Sequence, residues 1–207
     1  MLTLLLVLGY IFGSVPFSYL IGRCYGVDVR EVGARAASPG NVWRGIGRVP
    51  GAVAFVAEVT KGAFPMLMAR ALLGDDLAVL LVGLAAMVGH NWPVFLGFDG
   101  GRGVSLGLAT LLLVSYQWLG LAMIPLIVLT VALRDSAPAV LATFLLVPVF
   151  ATAMGFSQPV AIASAGIPAI TILRRVTAPS LSNVASEDRL RVLLNRLIFD
   201  RNERFRS

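Results

Sequence analysis

Long apolar stretches dominate this sequence, and they constrain its fold more than any other feature. Five of them are separated by short polar segments, at residues 1–22, 49–73, 77–97, 103–133 and 137–173. A helix that crosses a bilayer needs about 20 apolar residues. Hydrophobic residues make up 57% of the chain and charged residues 14%, whereas soluble domains carry about 25% charged residues. The pattern excludes a soluble globular domain and predicts a polytopic membrane protein.

The number of crossings depends on how the two longest stretches divide. Residues 103–133 contain 31 residues without a charge, which is long for one helix and short for two. Residues 137–173 contain 37, with Ser157-Gln158-Pro159 near the middle, which indicates two helices joined by a tight turn. Arginines cluster in the polar loops and in the C-terminal tail. Because basic loops lie in the cytoplasm, every cluster falls there only if 103–133 breaks near residues 115–118.

We therefore predict an all-α polytopic membrane protein of seven transmembrane segments, with the N-terminus outside and the C-terminus in the cytoplasm. At least one of the fourth and fifth segments must be short or tilted. The first 22 residues lack the basic region and the small-residue cleavage site of a signal peptide, so we interpret them as the first span. Residues 1–175 form the predicted transmembrane domain, and residues 176–207 form a basic cytoplasmic tail.

The tail carries a helix signal of its own. Ser186 is a suitable N-cap, and Glu187 and Asp188 follow in the first turn. Leucine and isoleucine then recur at helical spacing, at positions 190, 193, 194, 197 and 198, with arginines between them. A basic amphipathic helix of this kind lies either on the inner leaflet of the membrane or against the protein's own loops. Both interpretations stay open.

Two glycine-containing loops are candidates for binding an anion. The first, at residues 33–45, holds Asn41 and Arg44 among small residues, and the other reads Gly-Phe-Asp-Gly-Gly-Arg-Gly at 97–103. Backbone N–H groups and the N-terminus of a following helix attract phosphate, and an arginine adds charge. The candidate contacts in the second loop are Gly100, Gly101, Arg102 and Gly103. The spacing of a Walker A loop is absent, and ordinary cytoplasmic loops also contain small residues and arginines.

Three ionisable side chains within the predicted spans or at their ends are candidates for a site. Glu58 and Lys61 stand three residues apart on one helical face, where pairing offsets part of the roughly 2.5–3.5 kcal/mol cost of a charge at the bilayer centre. The pair is either structural or part of a polar cleft lined by the lysine. His90 ends the third span as either a hydrogen-bonded anchor or a general base, which requires a hydroxyl substrate within reach.

Composition excludes several other kinds of site. The chain has one cysteine, Cys24, and one histidine, so it can form neither an intrachain disulfide framework nor a histidine-cluster metal site. We expect no metal and no cofactor. The formal net charge is +6. Because the arginines fall in the predicted cytoplasmic loops, membrane orientation accounts for the excess and we expect no nucleic-acid partner.

Several motifs within residues 9–110 are similar to those of one enzyme family. Residues 28–33 match D-[IVL]-R-x-x-G, residues 41–44 match N-V-x-R, and residues 58–62 match [DE]-x-x-K-G. Residues 89–104 read GHNWPVFLGFDGGRGV, against G-H-x-x-P-V-F-x-x-F-x-G-G-K-G-V in the family. On these residues the chain resembles the bacterial membrane acyl-phosphate:glycerol-3-phosphate acyltransferases, the PlsY family.

The resemblance implies a seven-helix fold with its site on the cytoplasmic face. It also implies the transfer of an acyl group from a fatty acyl phosphate to the 1-hydroxyl of glycerol 3-phosphate, which yields lysophosphatidate and inorganic phosphate. His90 and Arg102 are then the expected catalytic residues. The expected phosphate contacts are Asn41, Arg44, Lys61, Gly100, Gly101, Arg102 and Gly103.

The chain departs from the family pattern at three places. In the first motif, Ala34 stands where the family has a phosphate-binding serine, and Ala36 stands where it has an asparagine. Arg102 replaces a lysine, which keeps the charge and changes the geometry. The third motif, H-R-x-N-I-x-R-L, is not visible after the last span. Arg174-Arg175 occupies its start, and Asn195 is too remote to be its asparagine.

Two functional interpretations follow. The first is a working acyltransferase with a remodelled phosphate site. The second is a paralogue that kept the fold, lost acyl transfer, and binds a phosphorylated lipid or regulates a partner. A transporter is disfavoured, because the charges lie on one face and the sequence has no detectable inverted repeat. The expected partners are acyl phosphate, glycerol 3-phosphate, the lipid bilayer and other enzymes of phospholipid synthesis. The expected location is the bacterial inner membrane, with the active face in the cytoplasm.

Overall fold

The computed structural model describes residues 1–33, 35–177 and 189–200, and these residues form helices and loops without strands. The α-helices in chain order are α1 (Leu2–Ser14), α2 (Phe17–Cys24), α3 (Pro39–Gly45), α4 (Arg48–Leu73), α5 (Asp76–Asn91), α6 (Val104–Val114), α7 (Tyr116–Leu133), α8 (Ser136–Ala153), α9 (Gln158–Ser164), α10 (Gly166–Thr177) and α11 (Arg189–Phe199). The predicted all-α class is confirmed for this described part of the chain.

Six helical stretches among the described residues are long and apolar enough to cross a membrane: Leu2–Cys24, Arg48–Leu73, Asp76–Leu96, Tyr116–Leu133, Ser136–Ala153 and Gln158–Thr177. The short helix α6 has 11 residues, about 16 Å of helix, against a hydrocarbon layer of about 30 Å. The predicted break in 103–133 is confirmed at Ser115, between α6 and α7. Seven full crossings and the orientation of the termini stay predictions.

The loops that carry arginines meet at one end of the bundle. Hydrogen bonds join the loop after α2 to the loop after α5, the latter loop to α10, and α10 to the start of α8. The acidic turn at Gly74 lies at the other end, where Arg70 pairs with Asp76 at 2.5 Å and donates to the carbonyl of Leu113 at 2.8 Å. The arginine-bearing loops thus lie at one end of the bundle and the acidic turn at the other, as expected if residues 103–133 form two helices.

The helix α5 lies at the centre of the bundle, packed against α1, α4 and α6. In the 18-residue apolar window of the span that contains α5, 56% of the residues are buried, against 11% in α7. Glycines let α1 and α5 pack so closely that their backbones are in contact. A Cβ on Gly13 would overlap the backbone of Ala86, and one on Gly89 would overlap the carbonyl of Tyr10. The close approach holds the end of α5 beside the break between α1 and α2.

Because α6 is short, the loop that precedes it enters the helical bundle. Gly62, near the middle of α4, faces Leu106 in the first turn of α6, and a Cβ on this glycine would lie 3.2 Å from Leu106 Cγ. Since α6 begins level with the middle of α4, the buried end of the preceding loop, residues 100–103, lies within the bundle. One of the predicted short segments therefore brings a glycine loop down to the level of the intramembrane charges.

The C-terminal helix α11 folds back against α8 and α10. Arg175 fixes it by donating to the carbonyl oxygens of Leu197 and Ile198, at 2.6 and 3.2 Å, and to that of Ala137 at 2.7 Å. The contacts with Leu197 and Ile198 satisfy carbonyls that the end of α11 leaves without a helical partner. A helix in the tail is therefore confirmed from Arg189 onward, while the predicted cap at residues 186–188 lies outside the described residues.

The packed face of α11 is not the leucine face. Val192, Asn195 and Arg196 are buried, whereas Leu190, Leu194 and Ile198 are exposed on the other side. The helix thus contacts the protein through a partly polar face, because the groups it meets include Arg175 and Arg102. Its apolar stripe faces outward, the orientation expected of a helix whose other side meets lipid.

Candidate active site

The intramembrane charges form a buried cluster of three side chains. Glu58 on α4 pairs through Oε2 with Lys61 Nζ at 2.5 Å and with His90 Nδ1 at 2.9 Å. Lys61 Nζ also lies 3.1 Å from His90 Nδ1. All three side chains are at most 3% exposed. The predicted ion pair is confirmed, and His90, expected only at a span end, joins it.

The break between α1 and α2 supplies the other partners of this cluster. Because Pro16 interrupts the helix, backbone groups around it are not all used in helical hydrogen bonds. Lys61 Nζ donates to the carbonyl of Val15 at 2.6 Å. Glu58 Oε1 accepts from the N–H of Ser18 at 3.1 Å and from its hydroxyl at 2.8 Å. Both charged side chains are thus held by groups from the first span.

His90 Nδ1 lies between two groups of the cluster, Glu58 Oε2 at 2.9 Å and Lys61 Nζ at 3.1 Å. An ionised carboxylate only accepts hydrogen bonds and an ammonium only donates them, so Glu58 favours the tautomer with its proton on Nδ1 and Lys61 favours the one with its proton on Nε2. The other ring nitrogen, Nε2, faces Gly101. A Cβ on Gly101 would overlap Nε2 of His90 and approach the carbonyl of Ala37 to 2.8 Å. The loop can pass over the imidazole ring only with glycine at this position.

Arg174 holds the glycine loop at residues 97–103. Its Nε donates to the carbonyl of Gly101 at 3.0 Å, and its Nη2 donates to Asp99 Oδ1 at 2.8 Å and to the carbonyl of Gly100 at 3.1 Å. The N–H groups of Gly101 and Gly100 donate to the carbonyls of residues 90 and 91, at 3.0 and 3.3 Å. These two N–H groups are therefore committed to the backbone of α5.

Arg102 turns toward the C-terminal helix rather than toward α5. Its Nε lies 3.1 Å from Oδ1 of Asp200, the residue that follows α11, and the two side chains are 10% and 12% exposed. Burial raises the pKa of the Asp200 carboxyl, and the charge of Arg102 opposes that rise. Gly103, with φ of 74°, is the N-cap of α6 and follows Arg102. The predicted phosphate-binding arginine is thus engaged by a carboxylate from the tail.

The first loop contacts the glycine loop through its backbone. The N–H of Ala37 donates to the carbonyl of Gly100 at 3.3 Å. Asn41 is fully buried, and its Nδ2 donates to the carbonyls of Val29 and Ala36, at 3.2 and 2.9 Å. Its Oδ1 accepts from Arg44 Nη1 at 3.1 Å. Asn41 therefore organises the loop, and Arg44 is an exposed cation that this loop presents.

An apolar groove leads from the side of the bundle to the buried cluster. It lies between the first span and α4 and has a volume of about 780 Å³. Phenylalanine, valine and alanine side chains form most of its wall, among them Phe12, Phe17, Val53, Val56 and Phe64. Lys61 and Val15 lie at its polar end, where they contact each other. A long hydrocarbon chain in this groove would have its head group beside Lys61 and His90.

Comparison with known proteins decides the family. The sequence profile of the family described as glycerol-3-phosphate acyltransferase matches residues 3–179. This chain belongs to the glycerol-3-phosphate acyltransferase family. A glycerol-3-phosphate acyltransferase of Dehalococcoides mccartyi is 34% identical across 96% of this chain and 88% of that protein. One from Rubrobacter xylanophilus is 49% identical over 107 residues, 52% of this chain and 54% of that protein. The chain thus spans about half the length of that curated relative.

Solved structures of the family share the fold. A crystal structure of PlsY, described as an integral membrane glycerol 3-phosphate acyltransferase in its glycerol 3-phosphate form, has a TM-score of 0.80 at 28% identity. The match covers 94% of this chain and 93% of that chain. The lysophosphatidic acid form gives a TM-score of 0.78 at 27% identity. The predicted resemblance to the PlsY family is confirmed, and the protein is an integral membrane member of it.

Two of the family positions that differ in this chain lie in the first loop. Ala34, in place of the family serine, lies outside the described residues. Ala36, in place of the asparagine, is fully buried and presents its carbonyl to Asn41. A small side chain at position 36 therefore fits the loop as it folds here.

The structure brings Lys61, His90 and the glycine loop together, and it brings Arg102 to the tail. Asn41 and Arg44 lie on the adjacent loop, joined to the glycine loop by backbone. Sequence reasoning placed Arg174 at the start of the absent third motif and did not assign it to the site, although two successive arginines directly after an apolar run were a usable signal, since a charge at the end of a span needs partners. It also missed Asp200, for which the local sequence offered no signal.

Proposed function

We propose that this protein transfers a fatty acyl group from acyl phosphate to the 1-hydroxyl of glycerol 3-phosphate, giving lysophosphatidate and inorganic phosphate. The reaction would take place at the cytoplasmic face of the bacterial inner membrane, alongside other enzymes of phospholipid synthesis. One observation carries the proposal. An apolar groove of about 780 Å³ ends at Lys61, and Lys61 contacts the histidine that lies beneath the glycine loop. A site for a hydrocarbon chain thus adjoins a site rich in cations.

The geometry of His90 supports a role as general base. In the tautomer whose Nδ1 proton faces Glu58, Nε2 can accept the proton of a substrate hydroxyl that reaches it beside the glycine loop. The hydroxyl oxygen forms an ester bond with the acyl carbonyl carbon as the bond from that carbon to the phosphate oxygen breaks. The electron pair of the broken bond leaves with inorganic phosphate, and the hydroxyl proton passes to Nε2.

Cations around the cluster suit the charges of both substrates. Lys61, at the polar end of the groove, would stabilise the acyl phosphate next to its acyl carbon. Arg102 would stabilise the phosphate that faces the loop, as a preorganised donor does where charge develops. Gly100, Gly101 and Gly103 would shape the loop around that phosphate, because the N–H groups of Gly100 and Gly101 already donate to α5. Arg44 would bind phosphate from the first loop, while Asn41 holds Arg44 in position. We assign His90 and Arg102 the catalytic roles.

The test is phosphate release by the purified protein, given palmitoyl phosphate with and without glycerol 3-phosphate. We expect release that depends on glycerol 3-phosphate, and Arg102→Ala should lower it about 100–1,000-fold, the usual cost of one such donor. Arg134→Gln, at an exposed arginine between α7 and α8, is the matched control and should retain full activity.

Two results would contradict the proposal. Full activity in Arg102→Ala would remove the glycine loop from the site. No release by a folded wild-type protein would favour the paralogue that kept the fold and lost acyl transfer.

A further inference from the structure

The tail supplies the described carboxylate that pairs with Arg102. Asp200 Oδ1 lies 3.1 Å from Arg102 Nε, and both side chains are about nine-tenths buried. A carboxylate and a phosphate use the same kind of oxygen acceptor, and a guanidinium binds either one. The contact therefore resembles the one that a substrate phosphate would make with this arginine.

The surroundings of this pair are strongly cationic. Arg174, Arg175 and Arg196 are each at most 3% exposed. Arg102 and Asp200 both lie close enough to act electrostatically on Arg196, and the charges of Arg102, Arg175 and Arg174 all act on the carboxylate of Asp200. Buried charges require compensation. Asp200 supplies one negative charge to this group, and a phosphate dianion would supply two.

The position of Asp200 is fixed by the fold. Arg175 holds the carbonyls of Leu197 and Ile198, and the N–H of Asp200 donates to the carbonyl of Arg196 at 3.0 Å. Arg196 itself is buried in the face of α11 that packs on the bundle. The carboxylate is therefore presented to Arg102 by an anchored helix end rather than by a passing contact.

We propose that Asp200 sets the affinity of the site for phosphate. Its carboxylate holds the place of a substrate phosphate at Arg102, and the substrate displaces it on binding. The inference rests on the proposed function, because it takes Arg102 as a phosphate-binding residue. A pair that is closed in about 90% of molecules lowers the apparent affinity for phosphate about tenfold. The same carboxylate returns to Arg102 after the reaction and favours release of the phosphate product.

The test is Asp200→Asn in the full chain, which keeps the size of the side chain and removes its charge. The KM for one phosphate-bearing substrate should fall about fivefold or more, without an increase in kcat. Varying glycerol 3-phosphate and palmitoyl phosphate in separate series identifies which phosphate meets Arg102. Asp200→Glu keeps the charge and should keep the KM near that of the wild type. Asp76→Asn, which removes a carboxylate from an arginine at the other end of the bundle, should change neither KM.

A binding measurement separates this inference from the proposed function. Inorganic phosphate should raise the thermal unfolding midpoint of Asp200→Asn at a concentration about fivefold lower than for the wild type, whether or not the protein transfers acyl groups. A loss of packing alone would weaken phosphate binding, so the expected gain has the opposite sign to structural damage. The role of Asp200 is overturned if Asp200→Asn has an unchanged or higher KM and also needs the same or a higher phosphate concentration to raise its unfolding midpoint. An inactive wild type that shows the phosphate shift overturns only the proposed reaction.

Discussion

Replacement of Glu58 by glutamine tests the buried cluster most directly. The substitution keeps the shape of the side chain and removes the charge that Lys61 faces at 2.5 Å. Removing one partner of a buried ion pair costs about 3–5 kcal/mol, because the other charge is left buried. Solvent does not reduce this cost, since the Glu58 and Lys61 side chains are 1% and 2% exposed. For a chain of this length the unfolding midpoint should fall by about 6–20 °C.

A second substitution separates stability from chemistry. Glu58→Gln combined with Lys61→Met removes both charges, and a buried ion pair replaced by uncharged side chains is about neutral in stability. The unfolding midpoint of the double variant should therefore return most of the way to that of the wild type. It should not recover activity, because the glutamine amide donates to Nδ1 of His90 and moves the ring proton to Nε2. Loss of the base at Nε2 should lower kcat roughly 100-fold or more.

The assay is thermal unfolding in one detergent, followed by tryptophan fluorescence, with phosphate release measured on the same preparations. Two results would refute the reasoning. One is a single variant that unfolds within about 2 °C of the wild type, which would mean that the pair contributes little. The other is a double variant with full activity, which would exclude His90 as the base oriented by Glu58.

Two further predictions concern the loop and the groove. Gly101→Ala should displace the His90 ring or the loop, at a cost of about 1–3 kcal/mol, and lower kcat about 5–150-fold. The control is Gly120→Ala, where a Cβ meets open space. Equal activity of the two variants would contradict the contact between Gly101 and His90. Val56→Trp should narrow the groove and lower activity with palmitoyl phosphate more than with an acyl phosphate of about eight carbons; an equal loss with both chains would place the hydrocarbon chain elsewhere.

The predicted secondary structure holds where local physics decides it. Helices in a bilayer must satisfy their own backbone groups, so long apolar runs could only become helices. The break at Ser115 was predicted because charge placement required it, and the turn at Ser157 because serine and proline interrupt a helix. The exact length of α6 was not predicted. That length depends on how far the glycine loop enters the bundle, and contacts between α6 and α4 decide this depth.

The site was predicted in part, for the same kind of reason. Glu58 and Lys61 are three residues apart, and helical geometry alone brings them together. His90 belongs to another helix, and its place beside them depends on the close packing of α5 against α1 and α4. Arg174 and Asp200 reach the glycine loop from positions 70 to 100 residues further along the chain.

The sequence by itself determined the membrane class, the helical runs, the grouping of arginines at one end and the family to which the chain belongs. Each of these follows from composition, from spacing along one helix, or from motifs that are contiguous in the chain. Only the tertiary structure decided that His90 meets Glu58 and Lys61, that Arg174 holds the glycine loop, and that the tail returns to Arg102. Those contacts join residues that are distant in sequence, and their free energy depends on packing between helices, which no local pattern encodes.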